Sequence, residues 1–577
     1  MKVFFRFFKQ YPKESILSPL FKLLEACFDL LVPIVVATII DDGIGGEDNK
    51  LIIRMTLVLV LLAVVGLSCA LCAQYFAAKA AIGTASKLRH ELFAHMQSFT
   101  YAQTDKVGTS TMITRITSDV NQVQSGINMT LRLFLRSPII VLGAMVMAFT
   151  INTKSALIFV AAIPLLSAVV FGVMLGGIPL FKKVQARLDR VTGVTRENLA
   201  GVRVIRAFCK EEEEIREFDK VNREQTSLQN KAGILSSLMN PLTYVIVNLA
   251  VILLIRQGGY QVNTGDITQG ELVALVNYMG QILVELVKLA STIFLVTKAV
   301  ACGNRIGAVL DMPAGTEIHP DGIYTAPDEQ NAAVVFENVT LTYHKGSHPS
   351  LSDIDFSVPR GQTVGIIGGT GSGKSSLVNL IPRFYDATEG RVLVDGKDVR
   401  TYDPEVLRSK IGVVPQKAEL FRGTIRSNLS WGKANATDEE LWKALELAQA
   451  ADFVRGKEGQ LDAPVEQKGR NFSGGQKQRL TIARALVGSP AILILDDSAS
   501  ALDFVTDAHL RAALKSLPHD PTTFIISQRT SSIRHADLIV VLEDGRAVGI
   551  GKHDDLLETC DTYREIHMSQ FKGGEEA

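Results

Sequence analysis

Residues 363–377 read TVGIIGGTGSGKSSL. A short β-prone run meets a cluster of glycines and then a stretch that opens a helix. Gly368-Gly369-Thr370-Gly371-Ser372-Gly373-Lys374-Ser375 fits the spacing GxxxxGK[ST]. Glycines let backbone N–H groups curl around phosphate oxygens, and the following helix N-terminus adds partial positive charge. At this spacing Lys374 reaches the β and γ phosphates of a nucleotide, and the Ser375 hydroxyl ligates Mg²⁺. A strand before the loop and a helix after it place the cradle in an α/β domain.

A second stretch supplies the metal's other partner. Residues 491–500 read AILILDDSAS, an aliphatic run ending in adjacent acids, Asp496 and Asp497. A carboxylate at the end of a buried strand beside a phosphate loop holds Mg²⁺ directly or through water, and Asp496 has that position. The plain alternative for Asp496 is a helix N-cap. Between the two stretches, Ser473-Gly474-Gly475-Gln476 opens another helix in NFSGGQKQRLTIARAL. This is a second anion-recognising helix start. One nucleotide needs one γ-phosphate cradle, so the second is expected to serve ATP held by another subunit.

Outward from these motifs the chain divides by texture. From about Ala332, short β-rich runs (VVFENVTLTY, IGVVPQ, TTFIISQ, LIVVLEDG) alternate with helical stretches, the pattern of a largely parallel sheet. DMPAGTEIHPDGIYTAPDEQN is rich in Pro, Gly and acids and reads as a linker. The expected division is 1–312, an α-helical transmembrane domain; 313–331, the linker; and 332–577, the α/β nucleotide-binding domain. Six apolar runs lie near 16–40, 51–82, 133–151, 156–181, 233–255 and 271–300. Each is about long enough to cross ~30 Å of hydrocarbon. The connections at 41–50, 151–155 and 257–270 are short and poor in positive charge, whereas the others are long, basic and helical in period. Positive charge marks the cytoplasmic side, so both termini are expected there, with helices continuing out of the bilayer.

Composition agrees. Of 577 residues, 47% are hydrophobic and mean hydropathy is +0.19, high for a soluble chain of this size. Lys plus Arg and Asp plus Glu number 60 each, a balance that argues against a nucleic-acid binder. Cys69 and Cys72 have CxxC spacing, but they lie in an apolar helical run with no second pair and read as packing residues. The start, MKVFFRFFKQYPKES, lacks the long apolar core of a signal peptide and reads as a short interfacial helix.

The phosphate loop, the SGGQ stretch, the LDD strand end and the apolar spans together resemble an ABC transporter of the exporter type (type IV fold). The resemblance covers essentially the whole chain and implies ATP and Mg²⁺ as cofactors, a plasma (cell inner) membrane location, and an amphipathic drug or lipid as substrate. It also implies roles for matching residues. Tyr343 sits where an aromatic stacks on adenine. Ser376 joins the phosphate loop, Gln416 contacts Mg²⁺, and Asp503 is the D-loop acid that faces a partner. Ser473, Gly474, Gly475 and Gln476 close over the ATP of the facing domain.

Two positions depart from the pattern. The hydrolytic base is expected to be a glutamate, and here that position is Asp497. One methylene less sets the carboxylate back by about 1 Å, and a misplacement of that size can cost ~100-fold in rate. The switch histidine is replaced by Gln528, which can hydrogen-bond a phosphate but carries neither proton nor positive charge. Glu466-Gln467 stands where relatives often have Gly-Glu. His535 reads as an ordinary surface histidine rather than a relocated switch. Asp497 and Gln528 act on the same phosphate while Lys374, Ser375 and Asp496 are intact. The expectation is a site that binds MgATP and hydrolyses it slowly, in a heterodimer whose other chain supplies the glutamate and the histidine. An ATP-gated channel or sensor is the alternative.

In the membrane half, Lys22, Glu25 and Asp29 share one helix face with Pro19 and Pro33. Each charge costs ~2.5–3.5 kcal/mol at a helix centre, so the face is an internal salt bridge, a polar cavity wall, or both. Arg132 and Arg136 are expected to snorkel at the inner mouth of the third span. The turns near Thr100–Asp105 and Val204–Cys209 match coupling helices, with Val204, Ile205 and Phe208 forming an apolar docking face.

Overall fold

The structure, a computed structural model, describes residues 11–313, 315, 332–343, 348–498, 502–517 and 519–571. The basic start, residues 1–10, and nearly all of the 313–331 linker lie outside the described residues. The chain forms two compact units. One comprises Met1–Gln97 and Thr109–Pro313, the other Ser98–Gly108 and Ala314–Ala577.

In chain order the helices of the N-terminal half are α1 (Pro12–Ile44), α2 (Asn49–Gln97), α3 (Tyr101–Val107), α4 (Thr109–Ile151), α5 (Thr153–Ala200), α6 (Val202–Ala207), α7 (Glu211–Thr264) and α8 (Gln269–Leu310). All but α3 belong to the first unit. The six long ones are apolar enough to cross a membrane. They also outrun it: the 49 residues of α2 extend about 73 Å at 1.5 Å per residue, against ~30 Å of hydrocarbon.

The faces of α2 show how these helices pack. Leu57, Leu61 and Leu71 are more than half exposed, as lipid-facing side chains must be. Ala73, Ala77, Ala81 and Ala85 are buried on the opposite stripe. Small side chains let backbones approach, which is how helices associate where burial alone gives no driving force. The Ser18 hydroxyl on α1 donates to the Ala73 carbonyl at 2.9 Å. At the other end of α1, Asp41 accepts from the Gly270 N–H at 2.7 Å and the Thr268 hydroxyl at 2.5 Å, tying α1 to the start of α8.

The second unit holds two main sheets. The strands of these two sheets are β1 (Ala332–Leu341), β2 (Leu351–Pro359), β3 (Thr363–Gly368), β4 (Glu389–Val394), β5 (Lys397–Asp398), β6 (Ile411–Val414), β7 (Ile492–Asp496), β8 (Thr522–Ile526), β9 (Leu538–Glu543) and β10 (Arg546–Gly551). One sheet has the order β2-β1-β4-β5; the other runs β10-β9-β3-β8-β7-β6. In the second, all neighbours are parallel except the β9–β10 hairpin. Its central strands are buried on both faces. Ile366, Ile494, Phe524 and Val540 enter the core shared with the antiparallel sheet, while Ile367, Leu495, Ile525 and Val541 enter the helical core opposite. The period-2 alternation therefore divides one apolar run between two cores.

Gly126 on α4 marks a close helix contact, because a methyl built there would overlap Cβ of Ala299 on α8. Overpacking of this kind costs about 1–3 kcal/mol. Gly126→Val is expected to lower the melting temperature of the purified protein. Gly66→Val, where a Cβ meets nothing within 4 Å, is expected to leave it unchanged; equal shifts would contradict this packing.

Candidate functional site

The register of the parallel sheet assembles the site. Ile526 of β8 pairs with Ile366 of β3 on one side and Asp496 of β7 on the other. The carboxyl ends of these strands thus open side by side, where ligands of open α/β sheets bind. Gly371 (φ +83°) and Gly373 (φ +97°) turn the loop after β3 through the left-handed region, which glycine enters without penalty. A Cβ on Gly371 would meet nothing within 4 Å, so that face of the loop borders open space. The helix α9 (Lys374–Val378) starts directly after.

Lys374 Nζ folds onto the loop itself. It donates to the Gly368 carbonyl at 2.9 Å, the Gly369 carbonyl at 2.5 Å and the Ser372 hydroxyl at 3.3 Å. Burial pushes its pKa below the usual lysine value, with Asp497 and Asp496 opposing. The Ser375 hydroxyl donates to Asp496 Oδ1 at 3.1 Å. Burial pushes the Asp496 carboxyl above the usual range, the Ser375 bond opposes, and the neighbouring Asp497 adds to the rise. A half-buried cation held by carbonyls and a carboxyl disfavoured in its charged form are what a polyanion and a divalent cation would relieve. The donor set thus fits MgATP. Lys374 and the loop N–H groups would hold phosphate, and Ser375, Asp496 and Gln416 would hold Mg²⁺, which neutralises phosphate charge when bound.

These groups line a cavity of about 710 Å³ together with Thr370, Gly371, Gly373, Ser376, Asp497 and Gln528. Asp497 follows β7 with φ +46°, its N–H donating to the Ile526 carbonyl at 3.0 Å. Its carboxylate accepts from Gln416 Nε2 at 3.4 Å. The Gln528 carbonyl accepts from Gln570 Nε2 at 2.7 Å, and Gln570 Oε1 accepts the Thr530 N–H at 2.9 Å. The last helix, Asp561–Phe571, thereby clamps the turn that carries Gln528.

Other expected residues lie outside the cavity lining. Ser473 caps α10 (Gly474–Leu486), accepting the Gln476 N–H at 3.3 Å while Gln476 Oε1 accepts the Ser473 N–H at 3.1 Å. The exposed Ser473 and Gly474 head this helix beside Gly475. Asp503 caps α11 (Phe504–Lys515) through the Thr506 N–H at 2.9 Å, which holds its carboxyl below the usual range. Tyr343 donates its hydroxyl to Ser376 Oγ at 2.9 Å. Residues missed at the sequence level also line the cavity: His348, Asp544 and Arg546. The Asp-Gly turn of the LEDGR stretch marks the hairpin that presents Arg546. Nothing local marks His348.

The segment 98–108 packs within this unit. Thr100 caps α3 in a reciprocal box with Gln103. The Tyr101 ring stacks on Phe384 at 4.4 Å, and Asp105 Oδ2 accepts from the Tyr385 hydroxyl at 2.6 Å. Tyr385 meets Tyr343 edge to face at 4.9 Å. One line of contacts therefore runs from α3 through Tyr385 and Tyr343 to Ser376 on α9. The other expected coupling turn, around α6, leaves Val204 and Phe208 exposed in its own unit.

Comparison with known proteins matches two family models to the two halves of the chain. The model of the ABC transporter transmembrane region matches residues 15–286, and that of the ABC transporter matches residues 351–500. An uncharacterised ABC transporter ATP-binding protein of Mycobacterium tuberculosis is 38% identical over 97% of each chain. One of Bacillus subtilis is 36% identical over 98% of each. The ATP-dependent lipid A-core flippase of Shigella sonnei is 30% identical, over 95% of this chain and 94% of its own. A bacterial Atm1-family ABC exporter solved with ATP bound shares the fold, with TM-score 0.80 and 24% identity over 98% of this chain and 99% of its own.

The raised Asp496 carboxyl has a pH consequence. Its pKa lies above the unfolded value of about 3.9, so its contribution to stability is full below that value and is lost as pH rises through the folded pKa. At pH 7 the nucleotide-free protein carries the cost of a buried carboxylate. Asp496→Asn is expected to raise its melting temperature at pH 7, with the gain vanishing toward pH 3, and to abolish the further rise on adding MgATP. A destabilised Asn variant at pH 7 would contradict the assignment.

Proposed function

The chain belongs to the ABC transporter family, as a multi-pass membrane protein with its ATP-binding domain in the same polypeptide, and on that premise we propose that it is one subunit of a heterodimeric exporter. It extrudes amphipathic drugs or lipids across the plasma membrane, with both termini in the cytoplasm. The observation that carries this reading is that an intact cradle, Lys374, Ser375 and Asp496, shares one cavity with Asp497 and Gln528.

In this reading Lys374 and the loop hold the triphosphate, Gln416 and Asp496 orient the metal, and Tyr343 leaves Ser376 to stack on adenine. The Asp497 carboxylate is too short to seat an attacking water in line, and the Gln528 amide supplies no positive charge to the forming phosphate. ATP therefore stays bound here for many cycles and holds the two nucleotide-binding domains together. Ser473 to Gln476, intact at the head of α10 with Ser473 and Gly474 exposed, complete the ATP site of the partner chain, which carries the glutamate and the histidine. Asp503 faces that partner.

Motion reaches the membrane through α3. Releasing Tyr343 from Ser376 frees the edge contact on Tyr385 and loosens its bond to Asp105. Tyr385→Phe keeps the ring and removes that bond. It is expected to leave ATP turnover of the pair within about 2-fold while lowering vesicle transport per ATP by about 5-fold, the size of a typical coupling energy. Unchanged transport per ATP would exclude the relay.

Purified alone, the chain is expected to turn over little ATP, and with its partner to turn over robustly. In the pair, Asp497→Asn changes turnover modestly, whereas Ser473→Ala, which damages the partner's site, reduces it strongly. Asp497→Glu with Gln528→His raises turnover by the chain alone by ~100-fold, the amount a misplaced base forfeits. Vigorous turnover as a homodimer, or the reverse ranking of the two single variants, overturns the assignment. ATP-dependent conductance without vectorial transport would favour the channel or sensor reading.

A further inference from the structure

On the reading that the chain moves amphipathic solutes, we propose that its membrane unit carries a recognition site for an amphipathic zwitterion whose ammonium bears an N–H. The site consists of Asp29, Gln281 and Lys288 over a buried Arg136–Glu285 pair.

Three helices meet there. Arg136, near the start of the apolar part of α4, donates through Nη1 to Glu285 Oε1 of α8 at 2.5 Å and through Nη2 to Asp29 Oδ2 of α1 at 2.7 Å. Glu285 also accepts from the Ser137 hydroxyl at 2.8 Å and from Lys288 Nζ at 3.0 Å. On α1, Lys22 closes on Glu25 at 2.5 Å. Three cations thus face three anions. A wide π turn, Thr130–Phe134, stands just ahead of Arg136, and such turns gather at functional sites. The sequence-level expectation placed Arg136 at the inner mouth as a snorkelling residue. Instead it lies between two helices because Glu285 and Asp29 compensate it.

A network serving only to hold helices would bury all its charges. The central pair obeys that rule, with side-chain exposures of 11% for Arg136 and 4% for Glu285. The two outer charges do not. Asp29 is 41% exposed and Lys288 45%. Both line one cavity of about 500 Å³ with Gln281, and Val32, Ile140 and Val276 supply apolar wall. Asp29 uses one carboxylate oxygen on Arg136, and the three donors of the Lys288 ammonium meet a single acceptor, Glu285. Among the described residues, Gln281 Oε1 is buried with no hydrogen-bond donor, a cost that a ligand N–H removes. A molecule bearing one charge would satisfy one of these residues and leave the opposite one facing its hydrocarbon. A zwitterion satisfies both: its ammonium pairs with Asp29 and donates to Gln281, its phosphate or carboxylate pairs with Lys288, and its chain lies on the valines and Ile140.

The test uses the full chain with its partner in nanodiscs of phosphatidylglycerol, without ATP. Four single-chain probes share a dodecyl tail and carry phosphoethanolamine, phosphocholine, ammonium or phosphate heads. The phosphoethanolamine probe is expected to bind tightest, ahead of phosphocholine, which has no N–H. Asp29→Asn is expected to weaken it by about 10-fold, the loss of one partly desolvated charge pair, and to spare the phosphate probe. Lys288→Gln is expected to weaken it similarly and spare the ammonium probe. Four equal affinities, or variants that weaken every probe alike, overturn the proposal. If a variant fails to fold, the ranking on the unaltered protein decides. Competition by two-chain phosphatidylethanolamine in the disc marks a lipid source and its absence a soluble amphiphile; either supports the site. Because binding is read without ATP, the expected ranking with no ATP-driven movement would sink the export reading and leave the site standing.

Discussion

The register of three parallel strands governs the ATP-binding unit. Because Ile526 pairs with both Ile366 and Asp496, the loop after β3 and the acid ending β7 open on the same edge, and Ser375 Oγ comes within 3.1 Å of Asp496. A slip of one residue would turn Asp496 to the opposite face and exchange the members of the two cores. The fully buried β8, wedged between β3 and β7, makes that slip costly. Binding chemistry here is inherited from core packing.

Much of this was legible beforehand because it rests on local or periodic signals. Hydropathy located the six spans, and β-branched runs located most of the sheet. The glycine spacing marked the cradle because a phosphate loop needs backbone freedom at fixed intervals. What stayed hidden is pairing at long range. Glu285 is an ordinary residue of an apolar helix until Arg136, 149 positions away, is seen against it. Gln570 gives no local sign that it will clamp the turn at Gln528. Residues 98–108 belong with the ATP-binding unit, although a division by texture places them among the spans. A seven-residue helix has no periodicity that reveals where it docks. The sequence also gives Tyr343 and Asp503 without their present contacts, one on Ser376 and the other at a helix start.

The two units handle charge in opposite ways. In the membrane unit the buried Arg136 and Glu285 meet each other, so the cost of removing them from water is offset within the bundle. At the nucleotide cradle Lys374 is held by carbonyls and Asp496 by a hydroxyl, leaving both to be satisfied by what binds. The first arrangement builds a wall and the second a trap. A trap of this kind binds ATP through groups remote from the scissile bond. Cleavage requires separate groups at the γ-phosphate, and in the proposed function those are Asp497 and Gln528, which line the same cavity. Binding and hydrolysis can therefore diverge in one chain without loss of the fold.

The most direct measurement reads the state of the nucleotide on each chain during turnover. The pair is run to steady state with α-labelled azido-ATP and cross-linked, and the label on each separated chain is resolved as triphosphate or diphosphate. The account predicts triphosphate retained at the cradle of this chain while diphosphate accumulates at its partner's. Equal conversion at the two cradles would contradict it.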